Sequence, residues 1–219
     1  MTKVLILNPD PDEWEINAAN HVLYALEGHE VEIVNVCKGE LPKHFNYDGF
    51  IVPGSAVSCY EDIAWLRTLE DLIRRIHSSG KPLLGVCFGH QAIAKALGGR
   101  VVFAGSREFG PVNMPLTEEG KKSLLFNDIP NSFLVLESHQ DKVSKIPQGA
   151  VLLAENDFCI QSFSLGNTFC VQFHPEMTVK TANILGTRYG KDISVLDNFK
   201  ESDHRTALKV VDNFIEFIS

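Results

Sequence analysis

Short apolar runs alternate with longer amphipathic stretches through the first half of this chain. The apolar runs predict buried strands at Val4 to Leu7, Val31 to Val36, Gly49 to Val52 and Pro82 to Val86. The intervening stretches carry apolar residues at helical spacing, and they predict helices over Trp14 to Leu26, Ile63 to Ile76 and, after the last strand, Gly89 to Leu97. This order favours β-α-β units around a largely parallel sheet.

The second half is richer in strand-like segments, whose connections are too short for crossover helices and therefore favour antiparallel pairing. These segments are Val101 to Ala104, Val112 to Leu116, Phe133 to Glu137, Val151 to Ala154, Cys159 to Phe163 and Thr168 to Phe173. Gly166-Asn167 is typical of a hairpin turn. Arg205 to Ile218 predicts a terminal helix, whereas residues 178–203 have no clear pattern. Because no linker composition divides the 219 residues, we expect one α/β domain over 1–219.

Charge and cysteine usage exclude several classes of function. The formal net charge of −8 argues against nucleic acid as a partner, because a phosphate backbone requires a basic face. The N-terminal apolar run is too short, and too acidic afterwards, for a signal peptide or a membrane span. The five cysteines form no C-x-x-C pair, which indicates reduced thiols and no structural zinc site. We therefore expect a cytoplasmic protein without nucleic-acid or membrane partners.

Cys87 stands between a predicted strand and a predicted helix. It lies in Gly85-Val86-Cys87-Phe88-Gly89-His90-Gln91, called the elbow below, where small neighbours let a sharp turn close around a nucleophile. A helix N-terminus favours thiolate over thiol, and the N–H of Phe88 would face the oxygen of an attacked carbonyl. For this turn taken alone, a buried structural cysteine is an equal alternative.

A second polar group follows the predicted strand that ends at Phe173. In His174-Pro175-Glu176, the histidine at a strand end can reach a cysteine at the end of an adjacent strand. An extended backbone places the Glu176 carboxylate on the same side as the imidazole, where it can accept the second N–H. The chain has eight histidines, and for each of them a structural role at the surface or in the core is the alternative. We select His174 because it stands at a strand end, is followed by Pro-Glu and occurs together with the elbow.

The elbow and the block from Phe173 to Glu176 together resemble the two signature segments of the class I, triad-type glutamine amidotransferases, including the glutaminase part of GMP synthase. The resemblance covers residues 3–177 and extends to stand-alone γ-glutamyl peptidases. It implies a flavodoxin-like three-layer α/β domain, with a mostly parallel sheet, helices on both faces and a smaller antiparallel element. It also implies a catalytic triad of Cys87, His174 and Glu176.

Further segments extend the resemblance to an oxyanion hole. Ile51 to Ser55 is similar to the glycine loop that supplies the second oxyanion donor in this family. The resemblance therefore implies the N–H of Gly54 or Ser55 as a partner to that of Phe88. Ser55 stands where many relatives carry a second glycine, so the local geometry of the loop is expected to differ.

The substrate pocket is implied by resemblance as well. Ser138 to Val143 resembles a block that helps to hold the α-amino and α-carboxylate groups of the substrate. The implied substrate-binding residues are Gln91, His139 and Asp141. Their alternatives are a helix residue without a functional role for Gln91 and solvated loop residues for His139 and Asp141. Arg107-Glu108-Phe109-Gly110 resembles a segment of the GMP synthase glutaminase, and we interpret Glu108 as a structural ion-pair member.

The implied reaction is acyl transfer through a thioester on Cys87, with no metal or organic cofactor. With glutamine as the small-molecule substrate, the leaving group is ammonia. Since no part of the chain is left for an ammonia-accepting domain, we expect a stand-alone protein with a synthetase subunit as its candidate partner. A γ-glutamyl peptidase acting on γ-glutamyl peptides or glutathione conjugates is one alternative, and a non-catalytic regulatory module is another. The two enzymatic substrates differ only beyond the scissile bond.

Overall fold

The protein is built from two β-sheets with helices packed against them. The computed structural model describes residues 1–10 and 17–219. Within these residues the strands are β1 (Lys3–Asn8), β2 (Glu30–Asn35), β3 (Gly49–Val52), β4 (Leu83–Val86), β5 (Arg100–Pro115), β6 (Ser132–Lys145), β7 (Val151–Glu155), β8 (Ile160–Leu165) and β9 (Thr168–Val171). The α-helices are α1 (Ala18–Ala25), α2 (Ala64–Ser78), α3 (Phe88–Ala96), α4 (Val179–Arg188) and α5 (Glu201–Ile218). Short 3₁₀ helices cover Val36–Lys38, Gly120–Lys122, Leu124–Phe126 and Ile193–Asn198.

The larger sheet has seven strands in the order β2-β1-β3-β4-β9-β8-β7. The pairs from β2 to β9 are parallel, whereas β8 pairs with β9 and with β7 in antiparallel fashion. The β8–β9 hairpin turns at Gly166 and Asn167, as predicted. The smaller sheet is the antiparallel pair of β5 and β6. The predicted fold class, a mostly parallel sheet with a smaller antiparallel element, is confirmed.

Helices cover both faces of the larger sheet because its strands are apolar on both sides. On one face, Ile6 belongs to a buried cluster with Val211 and other residues of α1 and α5. On the other face, Leu5 belongs to a cluster with Ile73 and other residues of α2 and α3. Full burial of one such side chain contributes about 1.5–3 kcal/mol, so the two clusters hold three layers together. None of the helices in the described residues is both long and apolar enough to cross a bilayer.

The strands of the smaller sheet differ from the prediction. The two strands predicted at Val101 to Ala104 and Val112 to Leu116 are one strand, β5, and the strand predicted at Phe133 to Glu137 continues to Lys145. The prediction stopped at the polar block after Glu137 because polar residues are typical of loops. The structure instead buries His139 and Asp141 of that block, which are 3% and 5% exposed.

The C-terminal region contains an element that the sequence pattern did not reveal. Helix α4 begins after Thr178, whose side chain accepts a hydrogen bond from the N–H of Thr181. Together with the 3₁₀ helix Ile193–Asn198 it forms a third buried cluster against β6. Helix α5 begins at Glu201, four residues before the predicted start. In the N-terminal region, α1 begins at Ala18, and the predicted start at Trp14 lies outside the described residues.

The turn between β4 and α3 is held by two close backbone approaches. A Cβ atom at Gly89 would lie 1.9 Å from the carbonyl oxygen of Val52, and one at Gly85 would lie 2.5 Å from Cδ1 of Ile93. Cys87 has φ +52° and ψ −103°, a region that costs a residue other than glycine about 1–3 kcal/mol. The steric role predicted for the two glycines of the elbow is therefore confirmed.

We predict that Gly89→Ala lowers the free energy of unfolding by about 3 kcal/mol or more, because the new methyl group collides with the β3 backbone. Gly80→Ala is the matched control, since Gly80 has φ +71° with nothing within 4 Å of the added atom. Gly80→Ala should lower the free energy of unfolding by only about 1–2 kcal/mol, because alanine is strained in a left-handed backbone conformation. Urea denaturation measures both, and equal losses would contradict the close approach.

Candidate active site

Three strand ends of the larger sheet meet at one cleft. The N–H of Cys87, just past β4, donates to the carbonyl oxygen of Val171 on β9 at 2.9 Å, which fixes the two strand ends side by side. Cys87 and His174 line this cleft together with the loop after β3. The space in this cleft, the part open to solvent included, is about 800 Å³.

The structure brings the three predicted triad residues into one chain of contacts. His174 Nδ1 lies 2.8 Å from Oε1 of Glu176, and the His174 side chain also hydrogen-bonds Cys87. Burial opposes a charge on His174, but attraction to Cys87 and Glu176 and the hydrogen bonds to both raise its pKa well above the ordinary value. An Nδ1–H that donates to the carboxylate leaves the second ring nitrogen for the sulfur. The imidazole is thus oriented as a base for Cys87.

The other four cysteines lie in different surroundings. Burial raises the pKa of the Cys37 thiol, and it raises the pKa of Cys59 to about 12. The pKa values of Cys159 and Cys170 are also raised by burial. These side chains are therefore held as thiols near neutral pH. Cys87 differs from them in position, because it directly precedes α3, whose first N–H groups have no acceptor within the helix.

The predicted oxyanion segments lie beside the sulfur. A Cβ atom at Gly54 would stand 3.2 Å from Cε1 of His174, a tight contact, and 3.9 Å from Cβ of Cys87, so the Gly54 backbone lies close to both residues. The Ser55 hydroxyl donates to the carbonyl oxygen of Pro9 at 3.0 Å and accepts from the N–H of Val57 at 3.2 Å. These bonds anchor the loop. Phe88 is the first residue of α3, and its side chain is buried.

The three predicted substrate-binding residues also line the cleft. The side-chain amide of Gln91 donates to the carbonyl oxygen of Asp141 at 2.9 Å. The Asp141 carboxylate accepts from the Tyr60 hydroxyl at 2.7 Å and from the Ser58 hydroxyl. Loop positions for His139 and Asp141, the alternative considered from the sequence, are wrong because both lie on β6.

A buried acidic network lies behind this wall of the cleft. His139 Nε2 is 2.9 Å from Oε2 of Glu108 and 3.3 Å from Oε2 of Glu137. Among the described residues, neither carboxylate oxygen of Glu137 has a hydrogen-bond partner. Burial and the nearby Glu108 raise the pKa of Glu137 well above its ordinary value. Glu108 joins His139 in a polar network, which agrees with the structural role that we predicted for it.

The same network contains the side chains that a metal ion would use. Among the described residues, donor atoms of Glu108, His139 and Cys159 lie within 4.8 Å of one another. The Glu108 carboxylate already accepts hydrogen bonds from Asn156 at 2.8 Å and from Gln161 at 2.9 Å. The Glu108 carboxylate thus belongs to a hydrogen-bonded network that supports His139, and this network explains why the three side chains lie close together.

Sequence reasoning missed several residues of the cleft. Ser58, which hydrogen-bonds Asp141, carried no recognisable pattern, and neither did Tyr189 at the end of α4. Tyr60 supports the cleft from outside its lining, through its hydrogen bond to Asp141, and it carried no pattern either. Glu137 did carry a signal, because an acidic residue ends the apolar run from Phe133 to Leu136. A charged residue at the end of a buried strand is costly unless it serves the neighbouring groups.

Solved structures of glutamine amidotransferases share this fold. The chain matches one from Thermotoga maritima with a TM-score of 0.82 at 21% identity, covering 99% of this chain and 97% of the other. It matches one from Methylobacillus flagellatus with a TM-score of 0.83 at 21% identity, covering 99% and 95%. The sequence of this chain also matches the family model described as glutamine amidotransferase class-I, over residues 15–187. The chain belongs to the class I glutamine amidotransferase family.

Relatives of this chain include γ-glutamyl peptidases and GMP synthases. γ-Glutamyl peptidase 4 of Arabidopsis thaliana is 32% identical over 161 residues, which cover 68% of this chain and 63% of the peptidase. The glutamine-hydrolysing GMP synthase of Borreliella burgdorferi is 38% identical over 138 residues, which cover 62% of this chain and 26% of the synthase. The chain thus spans less than two thirds of the peptidase and about a quarter of the synthase.

We predict that Glu176→Gln lowers the pKa of His174, because the neutral amide no longer attracts the imidazolium. A raised folded-state pKa contributes stability that is complete below the unfolded-state value of about 6.5 and is lost as the pH rises through the folded-state pKa. The variant should therefore lose more stability at about pH 6 than at about pH 9. NMR titration of the His174 ring and urea denaturation at both pH values measure the two effects.

Glu118→Gln is the control for this prediction. Glu118 is an exposed residue that pairs with Lys121 on the surface. Its substitution should leave the His174 titration unchanged. An unchanged His174 pKa in Glu176→Gln would show that the carboxylate does not hold the imidazole.

Proposed function

We propose that this chain hydrolyses the γ-amide of glutamine with Cys87 as the nucleophile, His174 as the base and Glu176 as the residue that orients the base. The observation that carries the proposal is the contact of His174 with both Cys87 and Glu176 at a strained elbow. Such strain outside glycine is concentrated at functional sites, because it presents a side chain where a relaxed turn cannot. Family membership supports the same reaction class.

In the first half of the proposed reaction, the Cys87 thiolate attacks the γ-carbonyl carbon of glutamine. The negative charge that develops on the carbonyl oxygen is held by the N–H of Phe88 and by an N–H of the loop at Gly54 and Ser55. The tetrahedral intermediate collapses as the imidazolium of His174 protonates the departing amine. Ammonia leaves, and a γ-glutamyl thioester remains on the sulfur.

In the second half, His174 takes a proton from a water molecule, which attacks the thioester carbonyl. The same N–H donors hold the second oxyanion, and glutamate leaves as the thiolate is restored. All steps use side chains and backbone groups at the cleft. In this proposal residues 1–219 act as a single catalytic domain.

A γ-glutamyl peptide is the second candidate substrate, and the similarity of the chain to γ-glutamyl peptidases supports this candidate. The attacked carbonyl and both half-reactions are identical, and only the leaving amine changes. If glutamine is the substrate, we propose that the released ammonia passes to a separate synthetase subunit. The similarity to glutamine-hydrolysing GMP synthases supports this proposal.

We predict that Cys87→Ala abolishes glutamate release from glutamine and from γ-glutamyl dipeptides, a loss of at least about 10³-fold, because no other group replaces the nucleophile. An enzyme-coupled glutamate assay measures both substrates. Cys37→Ala is the matched control, since Cys37 is a free, half-buried cysteine outside the triad, and it should retain activity.

The outcomes of this assay separate the candidates. Turnover of dipeptides but not of glutamine would identify a peptidase. Equal activity of Cys87→Ala and the native protein would exclude Cys87 as the nucleophile. If the native protein turned over neither substrate, even with candidate synthetase subunits added, the chain would be a non-catalytic module.

A further inference from the structure

A bulge in β5 carries an arginine over the cleft. Phe103 pairs with Asp141 and Glu108 pairs with His139, so that residues 104–107 of β5 lie opposite Gln140 alone. Gly105 in this bulge has φ +86°, which glycine adopts without strain. Bulges beside active sites commonly re-aim a side chain. Here the bulge brings Arg107 to the lining of the cleft that contains Cys87 and His174.

The guanidinium of Arg107 is held in a defined position. One terminal nitrogen donates to the carbonyl oxygen of Ser138 at 3.3 Å, and the other donates to Oε1 of Gln140 at 3.2 Å. The Cζ atom of Arg107 lies over the ring of Tyr189, 3.8 Å from the ring centroid. A guanidinium fixed by stacking and two hydrogen bonds has already lost the side-chain entropy that binding would otherwise cost.

All of these partners of Arg107 are neutral. A guanidinium has five N–H donors, and the contacts described use two of them. Of the described acidic side chains that line the cleft, Glu176 contacts His174, Asp141 accepts from the Tyr60 and Ser58 hydroxyls, and Asp10 accepts from the N–H of Ala18 at 3.3 Å. Among the described residues Arg107 has no carboxylate partner, and a half-buried cation in this state favours an anionic ligand.

We propose that Arg107 binds a carboxylate of the substrate, through the planar fork that a guanidinium presents to carboxylates. This inference rests on the proposed function, whose substrates all carry carboxylates. Two carboxylates are candidates: the α-carboxylate of the glutamyl group, which glutamine and γ-glutamyl peptides share, and the C-terminal carboxylate of the leaving group, which only the peptides carry. Arg107 therefore recognises the substrate at a point remote from the reacting carbonyl.

The test compares three substrates that differ in their carboxylates. Glutamine and γ-glutamyl-p-nitroanilide carry only the α-carboxylate, whereas γ-glutamylglycine also has the one on its leaving group. We predict that Arg107→Met raises the KM of γ-glutamylglycine about 10- to 100-fold with little change in kcat, the size of a lost charge-assisted interaction. An equal rise for all three substrates assigns the α-carboxylate, and a rise for γ-glutamylglycine alone assigns the leaving-group carboxylate.

Two further variants separate binding from folding. Arg107→Lys keeps the charge but not the planar fork, and its KM should lie between those of the native protein and Arg107→Met. Arg67→Met is the matched control, because Arg67 is an exposed arginine of α2 that pairs with Asp62. Thermal unfolding of each variant shows whether the fold is retained.

Three results would overturn the inference. One is an unchanged KM for every substrate in a folded Arg107→Met protein. The second is an equal rise in KM in Arg67→Met, and the third is a fall in kcat alone. Each differs from a failure of the proposed function, in which the native protein itself turns over none of the three substrates.

Discussion

The approach of α3 to the sheet is the constraint on which the active-site geometry depends. The α3 backbone at Gly89 contacts the β3 backbone at Val52 so closely that no side chain fits between them. This contact forces the chain to leave β4 through a sharp turn, and Cys87 adopts a left-handed φ as a result. Packing of α2 and α3 on one face of the sheet offsets the strain at Cys87, because burial of many apolar side chains stabilises the fold by more than one strained residue destabilises it.

The cleft is also an arrangement of charges, each with a different reason for its position. Glu176 is buried where it can stabilise a proton on His174, whereas burial of Glu137 raises the pKa of its carboxyl group well above the ordinary value. Asp141 accepts hydrogen bonds from two hydroxyl groups, and the Arg107 guanidinium lies over the Tyr189 ring. In our proposal the first pair serves the reacting carbonyl and Arg107 serves the remainder of the substrate.

The sequence predicted the parallel part of the fold and the location of the candidate nucleophile. Short apolar strands and the glycines around Cys87 follow local rules of periodicity and steric fit, so they can be recognised without tertiary information. The long strands β5 and β6 could not be predicted, because the polar residues at their centre are buried with hydrogen-bond partners that are remote in sequence. Helix α4 was missed for a related reason, since its partners on β6 are remote in sequence.

The site shows the same division. His174 and Glu176 are two residues apart, and the chain itself brings them together. Arg107 and Tyr189 are 82 residues apart, and only the bulge in β5 and the packing of α4 make them neighbours. In our proposals, substrate recognition depends on contacts between residues remote in sequence, whereas the chemistry depends on contacts between residues that are close in sequence or lie in a recognisable motif.

The central claim is that Cys87 forms a covalent γ-glutamyl thioester. Acid quenching during steady-state turnover, followed by mass spectrometry of the proteolytic peptides, tests it directly. We predict an adduct of one glutamyl group on the peptide that contains Cys87, at a level that rises in Glu176→Gln if hydrolysis of the thioester becomes the slow step. Turnover without any adduct on this peptide, or with an adduct on another cysteine, would contradict the account.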